Sequence, residues 1–305
     1  MSDVVIVTPT HAPDFASFAR LHASVEAYAE PGIRHVAIVP TADLPLFRSL
    51  GGERLELITQ REVLPRSFVE TTRLGRLAAS VPGLPRGARV AGVNLRRPWP
   101  PLRGWVLQQV IKFAIAERIE ERAAVFIDSD VELIRPFAAS AFVAADGVVR
   151  RYRAPGAVND GMPRHLAWHR VARRLIGAPP PDGPRDDFVA GIVSWDTDLV
   201  RALLARVAET GGRPWPTSIG SEPDVSEFIL YGEYVTAFGG DRARSFDSPD
   251  SLCHSYWDPK PMSAAEAVRF VERLPASALA IHIQSNSSTS DETLRLVRDG
   301  LSLRI

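Results

Sequence analysis

Short apolar runs alternate with stretches of helical spacing along the first part of the chain. Val4 to Val7 is a β-branched run ending at Thr8-Pro9-Thr10, and it reads as a buried strand. From Asp14 to Tyr28, Phe15, Phe18, Leu21, His22 and Val25 recur at the spacing of one helix face. His35 to Pro40 predicts a second strand, with Asp43 just beyond it, and Leu55 to Thr59 predicts a third. The result is a βαβ opening. Residues 80 to 104 hold Pro82, Pro85, Pro98, Pro100 and Pro101, which predicts a mobile surface loop. Helical spacing resumes from Trp105 to about Arg122, and Ala123 to Ile127 forms a buried strand that ends in Asp128-Ser129-Asp130.

Past Pro136 the texture changes. A helix is predicted from about Arg164 to Ile176, then a loop at Pro179 to Pro184, then a strand from Phe188 to Trp195. Asp196 or Thr197 can cap a helix that runs to the Gly211-Gly212 stop. A further helix is predicted to start near Asp224, a late strand covers Ala278 to Gln284, and a short helix closes the chain. Strands alternating with helices define an α/β protein.

Composition narrows the picture in three ways. With 305 residues, 45% hydrophobic and 24% charged, the chain can bury a large core and is not a disordered polymer. Thirty-six basic side chains balance thirty-six acidic ones, which removes the footprint of a general nucleic-acid or anionic-membrane binder, so an anionic ligand must be held locally. Cys253 is the single cysteine, which excludes an internal disulfide framework and a multi-cysteine zinc site and fits a reducing compartment. The N-terminus has no basic leader and no run reaches eighteen apolar residues, so the expectation is a cytoplasmic protein without a membrane span.

Candidate chemistry gathers at a few places. Asp128 and Asp130, two apart, would share one side of a strand end, where open α/β sheets bind ligands, and paired carboxylate oxygens suit Mg²⁺ or Mn²⁺. Ordinary turn chemistry is the alternative. Trp105, Gln108, Gln109 and Lys112 share one helix face; a solvated stripe and a diphosphate-binding face are both open readings. Glu227 is either the third residue of a capping box begun by Asp224 or an acid, base or hydroxyl-positioning group. Asp187, beside Asp186, competes for the second role. His282, in an apolar strand, is a structural imidazole or a third metal ligand. His254 and Trp257 form an aromatic segment that either packs or stacks on a sugar ring.

In order along the chain, the Val4 to Thr10 strand, the Trp105 helix, Phe126-Ile127-Asp128-Ser129-Asp130, Asp187-Phe188-Val189-Ala190-Gly191 and Ser226-Glu227-Phe228 resemble a GT-A-fold, DxD-containing glycosyltransferase. The particular resemblance is to a little-characterised bacterial family of DUF6492 type, and it covers most of the chain. It implies a GT-A-like, Rossmann-like mixed sheet flanked by helices in one large domain, with residues 1–136 as the nucleotide-sugar half and 137–305 as the acceptor half. It also implies that Thr8, Thr10 and Asp43 line the nucleotide pocket, with Gln109 and Lys112 joining in donor binding. Asp128 and Asp130 would bridge ribose, metal and diphosphate, and His282 is the best match to a C-terminal metal ligand. His254 and Trp257 would face the acceptor. Val189 stands where Asn is frequent in retaining enzymes of this kind, so the stereochemical outcome stays open between retention and inversion.

The implied activity is metal-dependent transfer of a sugar from a nucleoside-diphosphate donor to an acceptor hydroxyl, with Glu227 or Asp187 as the carboxylate acting on the acceptor. A HAD-type phosphotransferase shares the Asp-x-Asp after an apolar strand, but the run from Gly240-Asp241 reaches Ser245 where its second Asp should stand. A sugar-phosphate nucleotidyltransferase would need a glycine-rich loop after the first strand, and residues 8–13 contain no glycine. A non-catalytic nucleotide- or glycan-binding protein is the remaining alternative.

Overall fold

The computed structural model describes residues 2–71, 90–180, 183–239 and 245–304. The chain begins with β1 (Val4–Pro9), α1 (Phe15–Tyr28), β2 (Arg34–Val39), α2 (Leu44–Phe47), β3 (Leu55–Thr59) and α3 (Gln60–Val63). Next come β4 (Phe68–Glu70), β5 (Val90–Asn94), β6 (Arg97–Arg103), α4 (Gly104–Ala116), β7 (Ala123–Ile127) and β8 (Val131–Leu133). The second half holds β9 (Val149–Tyr152), β10 (Ala154–Val158), α5 (Pro163–Ile176), β11 (Arg185–Asp187) and β12 (Ile192–Asp196). It continues with α6 (Thr197–Gly211), α7 (Trp215–Gly220) and α8 (Glu227–Phe238). Last are β13 (Ser245–Ser248), β14 (Cys253–Tyr256), α9 (Ala264–Glu272), β15 (Ala280–Ile283) and α10 (Asp291–Ser302).

The result is a mixed α/β single domain. Its central sheet has the order β12-β7-β1-β2-β3. β1 runs parallel to β2 and to β7, β2 runs parallel to β3, and β12 lies antiparallel to β7 with Ile192 opposite Ile127. The strands are apolar almost throughout because both faces are covered, and the period of two sorts their side chains. Val5, Val7, Val36, Ile38 and Phe126 face one core with α4 and α8, whereas Val4, Ile6, Ala37, Val39 and Val125 face a second core with α1. Trp195 anchors the first core, with ring centroids 4.4 Å from Phe126 and 5.0 Å from Phe113. A third, smaller core lies under α9 and α10 around Ile134, Phe270 and Val297.

Two predicted elements are corrected. The loop predicted at residues 80–104 is, from residue 90 onward, the β5–β6 pair of an antiparallel sheet of order β4-β5-β6; residues 80–89 lie outside the described residues. Pro98, Pro100 and Pro101 fall on β6, the edge strand, where a missing N–H need not interrupt a ladder. The helix predicted near Asp224 starts at Glu227, capped by Ser226, whose hydroxyl accepts from the Ile229 N–H at 3.4 Å. Glu227 is therefore the first residue of α8 and no capping box forms there. The Asp196 cap is as predicted, its carboxylate accepting from the N–H groups of Asp198 and Leu199.

Candidate active site

Along the sheet, the chain moves outward from β1 through β2 to β3 and then returns to place β7 on the other side of β1. This reversal is a topological switch point at the carboxyl ends of β1 and β7, the position where open α/β sheets bind ligands. Thr10 lies beyond one strand end and Asp128 beyond the other. The two ends are tied together, because Thr8 Oγ1 donates to the Ile127 carbonyl at 2.8 Å. The Thr8 oxygen also lies 3.1 Å from His35 Nε2, and His35 Nδ1 lies 3.2 Å from His22 Nδ1. Burial, reinforced by the nearby His22, lowers the His35 pKa to about 3 and keeps its ring neutral. Thr8 is fully buried and committed to this chain.

The two aspartates do not share a strand face as expected. Asp128 to Asp130 form the turn between β7 and β8, and the turn sends the carboxylates apart. Asp128 Oδ1 accepts from Lys112 Nζ at 3.2 Å. Asp130 Oδ1 lies 3.3 Å from His282 Nε2, and its Oδ2 accepts from the Ser285 N–H at 2.8 Å. Burial opposes ionisation of Asp130, but His282 and the Ser285 N–H outweigh it and hold the carboxyl below its usual range.

Lys112 and Gln109 are not on a solvated stripe. They are 3% and 1% exposed, buried where α4 meets the start of α8. Lys112 Nζ also donates to Glu227 Oε1 at 2.8 Å and lies 4.4 Å from the Phe228 ring centroid. Burial works against the ammonium, yet Asp128 and Glu227 raise its pKa above the ordinary lysine value. Gln109 Oε1 accepts from the Glu227 N–H at 3.1 Å and its amide donates to the Trp105 carbonyl at 3.0 Å. Trp105 in turn donates from Nε1 to the Val225 carbonyl at 2.7 Å, fixing the residue pair before the helix start. Glu227 is 2% exposed, and its Oε2 has no hydrogen-bond partner among the described residues. Two carboxylates therefore share one ammonium, and the imbalance favours a cation.

The segment from Phe188 to Gly191 leads into β12 beside these groups. A Cβ on Gly232 of α8 would lie 2.3 Å from the Phe188 ring, so only glycine lets that ring pack on the helix. A Cβ on Gly191 would stand 2.8 Å from Cys253 Sγ and 3.4 Å from the His282 Cβ. Trp257 closes the rim, its ring centroid 4.4 Å from that of His282 and its side chain half exposed. Cys253, buried behind Asp128 and Asp130, has its thiol pushed up to about 12, chiefly by burial.

Other predicted residues stand elsewhere. Asp43 is buried, and its Oδ2 accepts from the Ala12 N–H at 2.8 Å, clamping the loop after β1. Thr10 is also buried, and its hydroxyl has no hydrogen-bond partner among the described residues. Asp187 accepts from its own Val189 N–H at 3.0 Å and lies 4.0 Å from His165. His254 pairs with Ile281 across β14 and β15, one register step from His282, which places it on the opposite face. There it stacks on Phe270 at 4.1 Å and contacts the Phe270 carbonyl at 2.9 Å. Ser285, whose backbone holds Asp130, carried no signal in the sequence because its contribution is a main-chain N–H. Among the described residues, no three His, Cys, Asp or Glu side chains are grouped to hold a metal ion, since Asp128 turns to Lys112.

Fold and site together describe a mixed α/β protein with an acidic, lysine-bridged cluster at a topological switch point. The chain belongs to the family of unknown function DUF6492, whose pattern it matches over residues 2–289. A comparison with curated proteins finds no match. Among the described residues, no helix is long and apolar enough to cross a membrane.

Proposed function

We propose that the protein is a metal-dependent glycosyltransferase that moves a sugar from a nucleoside-diphosphate donor to an acceptor hydroxyl. The observation that carries this reading is the Asp128–Asp130 turn at the carboxyl end of β7, surrounded by Lys112, Glu227 and His282. The resemblance to GT-A-fold enzymes adds the order of the segments. Its DxD strand and its Phe188-to-Gly191 segment are neighbours here through the β7–β12 pairing.

Carboxylate oxygens and an imidazole match the preferences of Mn²⁺ or Mg²⁺, and the surplus of negative charge at the turn needs a cation. Asp130 and His282, 3.3 Å apart, would hold it, and Asp128 would join them only by turning from Lys112. When bound, such an ion supplies Lewis-acid stabilisation of the charge that builds on a leaving diphosphate. The chain's own residues supply the rest. Lys112 sets the positions of Asp128 and Glu227 and brings a fixed positive charge to the phosphate side. Gln109 holds the first turn of α8, and with it Glu227, in register with α4. Thr8 acts by tying the strand ends together, while the unpaired Thr10 hydroxyl and Asp43 flank the nucleotide side. Glu227 is the catalytic carboxylate and Asp187 the second candidate. Trp257 offers an apolar face to a sugar ring. A cytoplasmic location belongs to the same reading.

The test is turnover. Purified protein is incubated with a panel of nucleotide sugars and Mn²⁺, and release of nucleoside diphosphate is followed with and without simple sugar acceptors. The reading expects release that depends on one donor and on the metal, and it is overturned if no donor in the panel binds or reacts.

A further inference from the structure

A separate cavity of about 260 Å³ opens behind Asp130, between α1, β15 and α10. Its floor is apolar, from Ile281, Ile283, Leu294 and Val297. Its rim is polar. Arg20, Arg298, Glu132 and Asp291 stand around it, with the Ser285, Ser287 and Thr289 hydroxyls on one side. Arg298 Nε donates to Glu132 Oε2 at 3.2 Å, and Arg20 Nη2 donates to Ser17 Oγ at 3.0 Å. The remaining N–H groups of both guanidiniums make no hydrogen bond to the described residues.

Charge narrows the ligand. Two guanidiniums face the carboxylates of Glu132, Asp291 and Asp130, so the rim carries no excess of positive charge to attract a free anion. Donors and acceptors of both kinds instead stand over an apolar floor, with the Ser287 and Thr289 hydroxyls 2.8 Å apart. A hydroxyl both donates and accepts, so a ring bearing several adjacent hydroxyls satisfies such a rim, while its C–H face covers the aliphatic floor. We propose that this cavity is a binding site for a neutral glycosyl ring. Its role as the acceptor subsite of the reaction rests on the function proposed above, because Asp130 belongs to both walls. The sugar-binding chemistry follows from the lining alone.

The experiment is saturation-transfer NMR on the full chain with a panel of neutral methyl glycosides, run beside calorimetry with nucleoside diphosphates and Mn²⁺. Two variants probe the cavity. Arg298→Met removes the donors and leaves a partly exposed ion pair broken, which costs little stability. Leu294→Trp fills the floor. At least one glycoside should show transfer in the wild-type protein, with its affinity falling about tenfold or more in each variant while the melting temperature and nucleotide affinity hold. A loss of about 1.4 kcal/mol corresponds to that tenfold change. Transfer from no glycoside, or transfer unchanged by both substitutions, overturns the sugar site. If nucleotide binds while no sugar does, the cavity proposal fails and the proposed function stands. If a sugar binds in the cavity while no nucleotide binds, the cavity proposal stands and the transferase role fails.

Discussion

Lys112→Met removes the cation between the half-exposed Asp128 and the buried Glu227, and the contacts set its cost. Methionine keeps most of the apolar stem, so packing against Phe126 and Phe228 changes little. The ammonium is lost from 2.8 Å of Glu227 and 3.2 Å of Asp128. Asp128 has solvent to turn to, being 34% exposed, whereas Glu227 is 2% exposed and already has one oxygen unpaired. Breaking a buried pair by removing one partner costs about 3–5 kcal/mol, because the other charge stays behind. Adding Glu227→Gln removes that charge. The double variant should regain about 2 kcal/mol relative to Lys112→Met alone. Urea unfolding of the wild type, both single variants and the double variant gives the four corners of the cycle. In the same samples a nucleoside diphosphate should lose more affinity than the nucleoside, since only the former meets the missing charge. A single-variant loss below about 1 kcal/mol, with no recovery in the double variant, refutes the claim that Lys112 holds a buried cluster together.

Glu227→Gln alone should leave donor binding in place and lower turnover by about two to four orders of magnitude; an active, stable variant moves the catalytic assignment to Asp187. Gly232→Ala should destabilise by about 1–3 kcal/mol in urea unfolding, because its Cβ would overlap the Phe188 ring; a neutral result would mean that Phe188 packs elsewhere. His35 sets an acid limit. Its folded pKa of about 3 lies below the value of about 6.5 in the unfolded chain, so the unfolded state binds the extra proton between these pH values. Stability from this group is full above pH 6.5 and is lost as pH falls toward 3, by up to about 5 kcal/mol. Replacing His35 by Gln should flatten the stability curve between about pH 4 and 6 by close to one proton, and an unchanged slope would refute this origin.

The parts of the fold legible in the sequence are those whose burial is two-sided. β1, β2 and β7 announce themselves as short apolar runs because helices cover both faces of the sheet, and the Asp-x-Asp turn stands out against them. The edge strand β6 was hidden by its prolines, which are tolerated there because one side of the ladder is unpaired. Lys112 illustrates a second limit. Helical periodicity places it correctly on the polar face with Gln109, but the partner that buries this face, Glu227, lies 115 positions away. A local pattern cannot see that contact. His254 and His282 illustrate a third. Only strand register shows that they point to opposite sides, so that one stacks on Phe270 and the other meets Asp130.

The central claim is that the Asp128–Asp130 turn binds a nucleoside diphosphate through a divalent ion, and calorimetry tests it most directly. Nucleoside diphosphates are titrated into the wild type and Asp130→Ala, each with Mn²⁺ and with chelator. Asp130 contributes one backbone contact to Ser285 and one contact to His282, so the variant should stay folded. The account predicts binding to the wild type that requires Mn²⁺ and is abolished in the variant. Metal-independent binding, or equal binding by both proteins, would contradict it.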